Sequence, residues 1–227
     1  MVRRRFVVGL LFASAAAPAF AQAPLLDALT QRDASAGVRE ALGLAATRAT
    51  DRLGARDGFF GQPRVRIPLP SPLDGAQRTL KNFGMSGLLD DLQLRVNRAA
   101  ETAMPAAGRL FMDAVRSITI SDAVDIVRGP DDSATRFLRG RTETRLTRLL
   151  TPHMNSALTQ SGAFSVLRAA ASSAGMSSAA PHLRDEVVSF STGKALDGAF
   201  AFIADEERAI RRDPVHRTTD ILRRVFG

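Results

Sequence analysis

Residues 86–104 have the sequence SGLLDDLQLRVNRAAETAM, in which apolar side chains recur every three or four positions. This spacing matches the 3.6-residue period of an α-helix and gives the helix one apolar stripe. The stripe consists of Leu89, Leu92, Val96, Ala99 and Ala103. Ser86 is a residue type favoured at helix N-caps. The segment therefore predicts an amphipathic helix that packs against other helices.

The same pattern continues through most of the chain, with capping residues at helix starts and glycine or proline at helix ends. Helices are predicted at 34–53, 71–83, 86–104, 105–117, 121–129, 130–160, 163–174, from 186 or 192 to 212, and at 219–226. Pro105 should break or kink the chain and Pro152 should interrupt its helix, because proline removes a backbone hydrogen bond. The stretch 172–181 is rich in serine and small residues and should be a mobile loop. The fold class predicted is all-α, an irregular multi-helix bundle formed by one domain, residues 22–227.

One segment cannot be helical. Residues 55–70 contain several glycine and proline turn signals, after which apolar residues alternate with arginine or proline. The apolar positions are Val65, Ile67 and Leu69. This pattern predicts an extended strap, or an isolated edge strand, near residues 57–70.

The N-terminus has the features of an export signal. Three arginines at positions 3–5 precede an uncharged stretch, Phe6–Ala17, and the small-x-small triplet Ala19-Phe20-Ala21. This order is typical of a cleavable signal peptide, residues 1–21, with cleavage between Ala21 and Gln22. The apolar stretch is too short to span about 30 Å of hydrocarbon. A periplasmic or secreted protein is therefore expected, and the sequence leaves the Sec and twin-arginine routes open.

Composition excludes several classes of protein. Loss of the three arginines leaves 28 basic and 23 acidic residues, and this net charge of +5 is spread along the chain. Nucleic acid is an unsuitable partner, because its binding requires a clustered basic surface. The absence of cysteine excludes disulfides and thiolate chemistry, so the core must hold the fold. No transmembrane segment is expected after the signal.

Four segments resemble one bacterial family. They are DGFFGQPRVRIPLP (57–70), NRAAETAMPAAGRLFMDAVRSITISDAVDIVRGPDDSATRFLR (97–139), KALDGAFAFIADEERAIRRDP (194–214) and ILRRVFG (221–227). Together they are similar to domain of unknown function 4197, an uncharacterised family of exported bacterial proteins. The resemblance implies an all-helical exported protein. It brings no established activity and no catalytic residues.

Sequence motifs for catalysis are missing. The three histidines do not have metal-ligand spacing, and there is no HExxH, GxSxG or glycine-rich phosphate loop. No catalytic residue, metal site or cofactor is therefore predicted.

Three polar residues lie on apolar helix stripes. Glu207 shares a stripe with Phe200, Ile203 and Ile210 and can pair with Arg211 four residues later. Asn97 and Glu101 share a face with Leu94 and Met104, and Arg98, Arg109 and Asp113 are close enough in sequence to bond to them. Such buried groups must find partners. The structural interpretation is an ion pair at Glu207 and a polar network locking two helices across Pro105. The functional interpretations are a general acid or base and a small polar pocket.

The strap provides the remaining candidates. Asp57-Gly58 predicts a turn, and Arg64 and Arg66 should share one side of the extended segment. The strap would either cover a gap between helices or bind a partner peptide or an anionic ligand.

The leading hypothesis is a non-enzymatic periplasmic helical protein that binds an envelope partner or ligand. The alternatives are a carboxylate-dependent envelope hydrolase or lyase, and a carrier of lipid or another apolar ligand. An enzyme needs titratable groups converging in a cleft, a carrier needs an apolar cavity, and a binding module needs an exposed patch. The candidate binding residues are Asp57, Gly58, Arg64, Arg66, Asn97, Glu101, Glu207 and Arg211.

Overall fold

A computed structural model describes residues 31–227, and within this range it contains eight α-helices and no strand. The predicted all-α class is thus confirmed. The predicted signal peptide and its cleavage site lie outside the described residues. The helices are α1 (Gln31–Gly54), α2 (Ser71–Lys81), α3 (Gly87–Arg116), α4 (Ile120–Arg128), α5 (Ser133–Gln160), α6 (Ala163–Ser173), α7 (Ala180–Arg212) and α8 (Asp220–Phe226). Short 3₁₀ turns occur at Ser177–Ala179 and Pro214–His216.

Four long helices form the core. α1 packs against α3 and α7, and α5 packs against the same two helices. Phe111 of α3 and Phe200 of α7 meet edge to face with ring centroids 5.2 Å apart, and both rings are buried. Because the chain has no cysteine, burial of these apolar side chains is the main stabilising contribution.

The helical stretch Ser177–Arg212 is long and apolar enough to cross a membrane, judged by length and composition alone. The sequence predicted no transmembrane segment after the signal, and this stretch meets the criteria of length and composition only. In the structure, 67% of the apolar window is buried against the rest of the protein. This degree of burial is typical of the core helix of a helical bundle, which needs apolar residues on several faces.

Neither internal proline ends a helix, contrary to the prediction. Pro105 lies within α3 and Pro152 within α5. Met104 next to the first proline, and Leu150 and Met154 around the second, are completely buried. Burial of the flanking turns outweighs the ~3 kcal/mol that an internal proline costs.

Helix starts also differ from the predictions, among them those of α4, α5 and α7. α4 begins at Ile120 because Thr119 and Asp122 form a capping box, whereas the cap had been predicted at Ser121. α5 begins at Ser133, not Pro130. α7 begins at Ala180 with Pro181 in its first turn, a position that favours proline. The loop predicted at 172–181 is therefore reduced to the α6–α7 connection, 174–179.

The strap is non-helical, as predicted, but much of it consists of turns. Turns occupy residues 56–61 and 63–65, residues 66–70 have no regular secondary structure, and the Pro70 backbone is extended. It does not pair as an edge strand. Phe59, Ile67 and Leu69 are buried, and the Phe59 ring lies against α7 at Gly198, where an added Cβ would come within 2.9 Å of it. The strap thus covers a gap in the core.

Candidate functional site

Asn97 binds the backbone of the strap. Its Oδ1 accepts a hydrogen bond from the Ile67 N–H at 2.8 Å, and its Nδ2 donates to the Ile67 carbonyl, also at 2.8 Å. Nδ2 donates a second bond to the Gln93 carbonyl. The completely buried amide therefore gives Ile67 the donor and acceptor that a neighbouring strand would provide.

Glu101 holds the turn at the start of the strap. One of its oxygens accepts from the N–H groups of Phe59 and Phe60, at 3.1 and 3.3 Å. The other accepts from Arg98 at 2.7 Å, and Arg98 also donates to Asp57 at 2.7 Å. These bonds raise the pKa of the Arg98 guanidinium, and the bond to Glu101 contributes most. Asp57 has a left-handed φ of +65°, which aspartate tolerates better than most residues.

The predicted turn at Asp57-Gly58 is present, and the Gly61 N–H donates to the Asp57 carbonyl at 3.0 Å. A Cβ on Gly58 would lie 2.5 Å from the Leu53 carbonyl oxygen, so only glycine fits there.

The partners predicted for Asn97 and Glu101 were partly wrong. Arg98 is a partner, but Arg109 and Asp113 are not, and the network joins α3 to the strap rather than locking two helices across Pro105. Their burial was correctly predicted.

Arg64 and Arg66 bind different groups, one on α7 and one within the strap. Arg64 forms a bidentate ion pair with Asp205 of α7, which raises the pKa of its guanidinium mainly through that hydrogen bond. Arg66 folds back and donates to the Phe60 carbonyl at 2.6 Å. Both groups are used within the chain.

Glu207 and Arg211 form the predicted ion pair, at 3.0 Å, and their side chains are 1% and 8% exposed. Glu207 also accepts from the N–H groups of Ala134 and Thr135 and from the Thr135 hydroxyl, at 2.6 to 3.0 Å. It thus caps the N-terminus of α5, although it belongs to α7.

Arg211 bonds to the C-terminal end of α4, the helix that precedes α5 in the chain. It donates to the carbonyls of Ile126 and Val127 in the last turn of α4, at 3.0 and 3.3 Å, and to the Ser133 hydroxyl. The buried pair therefore closes the end of one helix and the start of the next.

These contacts leave no open acid–base pair at the candidate residues. The oxygens of Glu101 and Glu207 are each occupied by backbone donors and an arginine. Within residues 31–227 there is also no group of three or more acidic or histidine side chains arranged to hold a metal. The candidate side chains stabilise the strap and the α4–α5 corner.

An apolar groove lies elsewhere, where α2, the start of α3, the end of α6 and the start of α7 meet. Its volume is about 340 Å3, within the range of small-molecule sites. It is lined by Leu73, Ala76, Leu80, Met85, Leu88, Leu89, Ala170, Ala171, Ser173, Ala174, Met176 and Leu183. No charged side chain is among them.

Large apolar side chains that line this groove are exposed. Met85, Leu88 and Met176 are 63%, 45% and 47% exposed, and Phe83, two residues before Met85 in the chain, is 71% exposed. Only two other large apolar residues of the part that the structure describes, Leu149 and Val215, are exposed. Exposed apolar side chains cluster in proteins where a ligand or partner binds, so the groove is the candidate functional site.

A comparison with family models gives one match over residues 28–227, to a family described as protein of unknown function (DUF4197). The chain belongs to the DUF4197 family. No curated protein and no solved structure matches this chain. For this DUF4197 protein, the candidate site therefore depends on its own geometry.

Sequence reasoning did not find the groove of this DUF4197 protein. A signal was present in α2, where Leu73 and Leu80 lie one heptad apart, and in Phe83-Gly84-Met85 directly after it. The remaining wall comes from α6 and α7, about 90 residues later in the chain, and no sequence pattern joins the two segments.

Proposed function

We propose that the protein is an exported, non-enzymatic binding protein that takes an apolar ligand into the groove between α2, α3, α6 and α7. The groove itself is the observation that supports this function: about 340 Å3 of space lined by apolar side chains and bordered by exposed ones. Export follows from the signal peptide predicted at residues 1–21, which places the binding site in the periplasm or outside the cell.

The chemistry of the groove favours an alkyl chain or a similar apolar group. Leucine, methionine and alanine side chains offer no hydrogen bonds, and the one hydroxyl in the lining, on Ser173, already donates to the Ala169 carbonyl. Affinity must therefore come mainly from removal of apolar surface from water. Each buried CH2 contributes about 0.8 kcal/mol, roughly a fourfold gain in affinity. Met85 and Met176 at the rim have flexible, polarisable side chains that adapt to ligands of different shape.

A carboxylate-dependent hydrolase or lyase receives less support. General acid–base catalysis requires a carboxyl group within reach of a substrate. Glu101 and Glu207 are 4% and 1% exposed, and their oxygens are already hydrogen-bonded within the chain. A substrate would have to break the strap or the α4–α5 corner to reach them.

Binding of N-phenyl-1-naphthylamine, a neutral apolar dye that fluoresces in dry sites, tests the proposal. The chain has no tryptophan or tyrosine to interfere with the signal. We expect Met85→Glu/Leu88→Glu to weaken dye binding by roughly tenfold or more, because it places two charges against the alkyl-binding surface.

The matched control is Leu149→Glu/Val215→Glu, which changes two exposed apolar residues away from the groove. It should bind the dye like the wild type. Circular dichroism should show the same helicity in all three proteins. An equal loss in both variants, or a wild-type protein that binds no dye, would contradict the proposed function.

A further inference from the structure

A second hollow lies beside the groove, on the outer side of the corner between α6 and α7. Its volume is about 470 Å3, and its lining includes Arg168 and Arg184, the hydroxyl-bearing Ser172 and Ser177, and the ring of Phe164. No acidic side chain is among its lining residues.

The two arginines of this hollow have no acidic partner among the described residues. Arg168 is exposed and forms neither a hydrogen bond nor an ion pair there. Arg184 donates one long bond, 3.3 Å, to the amide oxygen of Asn155 and lies 4.2 Å from the centre of the Phe164 ring. Because neither binds a carboxylate, these two guanidinium groups have unused donors that suit a carboxylate or a phosphate.

The hollow and the groove share a wall. Ser172 lines the hollow and Ser173 lines the groove, and these successive residues form the last turn of α6. An apolar chain in the groove would therefore have a cationic surface on the other side of one helical turn. We propose that the ligand is an anionic amphiphile, whose chain enters the groove and whose charged head is bound by Arg168 and Arg184. This assignment rests on the proposed function of the groove.

Competition with the bound dye tests the inference by means of three ligands that carry the same alkyl chain and differ only in their heads: dodecanol, tridecanoate and dodecyl phosphate. At neutral pH and low salt, we expect at least one anion to displace the dye roughly tenfold better than dodecanol. The anion that displaces the dye at the lower concentration shows whether the hollow prefers a carboxylate or a phosphate head. If neither anion is preferred over dodecanol, the inference is wrong while the proposed function stands.

Arg168→Gln/Arg184→Gln should abolish the preference for the anion and leave the affinity for dodecanol within about twofold of the wild type. The control Arg56→Gln/Arg128→Gln removes two other exposed arginines that have no ion pair, and it should keep the preference. An equal loss of preference in the control, or a loss of dodecanol binding in the Arg168→Gln/Arg184→Gln variant, would overturn the inference. Failure of the dye to bind the wild type would instead overturn the proposed function.

Discussion

At the scale of single residues, Asn97 shows why an amide is needed where the strap meets α3. Its oxygen accepts from the Ile67 N–H, and its nitrogen donates to two carbonyls. Asn97→Asp would place a carboxylate oxygen against those carbonyls, so we expect a loss of about 3 kcal/mol or more in the free energy of unfolding. Protonation restores one donor, so the difference from the wild type should narrow in acid. Urea unfolding at several pH values measures both effects, and the exposed Asn82→Asp is the control.

Sequence register predicted the burial of these polar residues but not their partners. The positions of Asn97, Glu101 and Glu207 on apolar stripes gave the right environment, because helix period alone decides which face is buried. Their bonds join groups that lie 30, 42 and 72 residues apart in the chain. Only the folded arrangement of the elements brings such groups together, so sequence spacing could identify just the local partners, Arg98 and Arg211.

At the scale of secondary-structure elements, Glu207 and Arg211 join three helices rather than forming an isolated ion pair. Glu207→Ala would leave two N–H groups of α5 without partners and the buried Arg211 guanidinium without its carboxylate counter-charge. We expect destabilisation by about 3–5 kcal/mol, or about 10 °C in Tm. Asp205→Ala, which removes exposed ion pairs with Arg64 and Arg208, should cost less than about 1 kcal/mol. Thermal melts that are alike for the two variants would contradict this account.

The element boundaries show what local sequence rules miss. Pro105 and Pro152 are helix breakers by local rules, yet both lie inside long helices because the turns around them are buried. The N-cap of α4 was predicted two residues too late, at Ser121, because the capping box of Thr119 and Asp122 was not recognised. In each case a tertiary contact, or a stronger cap nearby, outweighed the local signal.

At the scale of the whole molecule, the groove exists only while α2 stays on α3. Gln77 of α2 donates to Asp90 of α3 at 2.7 Å, and Ser86 donates to the other Asp90 oxygen at 2.6 Å. The Ser86 hydroxyl and then the Gln77 amide lower the pKa of Asp90 below its usual value of 3.8, and the nearby Lys81 acts in the same direction. The folded state therefore favours the ionised carboxylate. Its contribution to the α2–α3 contact is fully present above pH 3.8 and is lost as the pH falls through the lowered pKa.

Because α2 supplies Leu73 and Leu80 to the groove wall, binding of the neutral dye should weaken in that acidic range. The Asp90 carboxylate is exposed, so the effect should be modest, on the order of two- to threefold in affinity. Asp90→Asn keeps an oxygen for Gln77 but cannot titrate, and its dye affinity should not change across the same range. Asp220→Asn, which alters a carboxylate 91% exposed on α8, should retain the wild-type pH dependence. Circular dichroism at each pH separates loosening of α2 from global unfolding, since only the latter removes most of the helical signal. An Asp90→Asn protein that loses dye in acid as the wild type does would show that this carboxylate does not hold the groove wall in place.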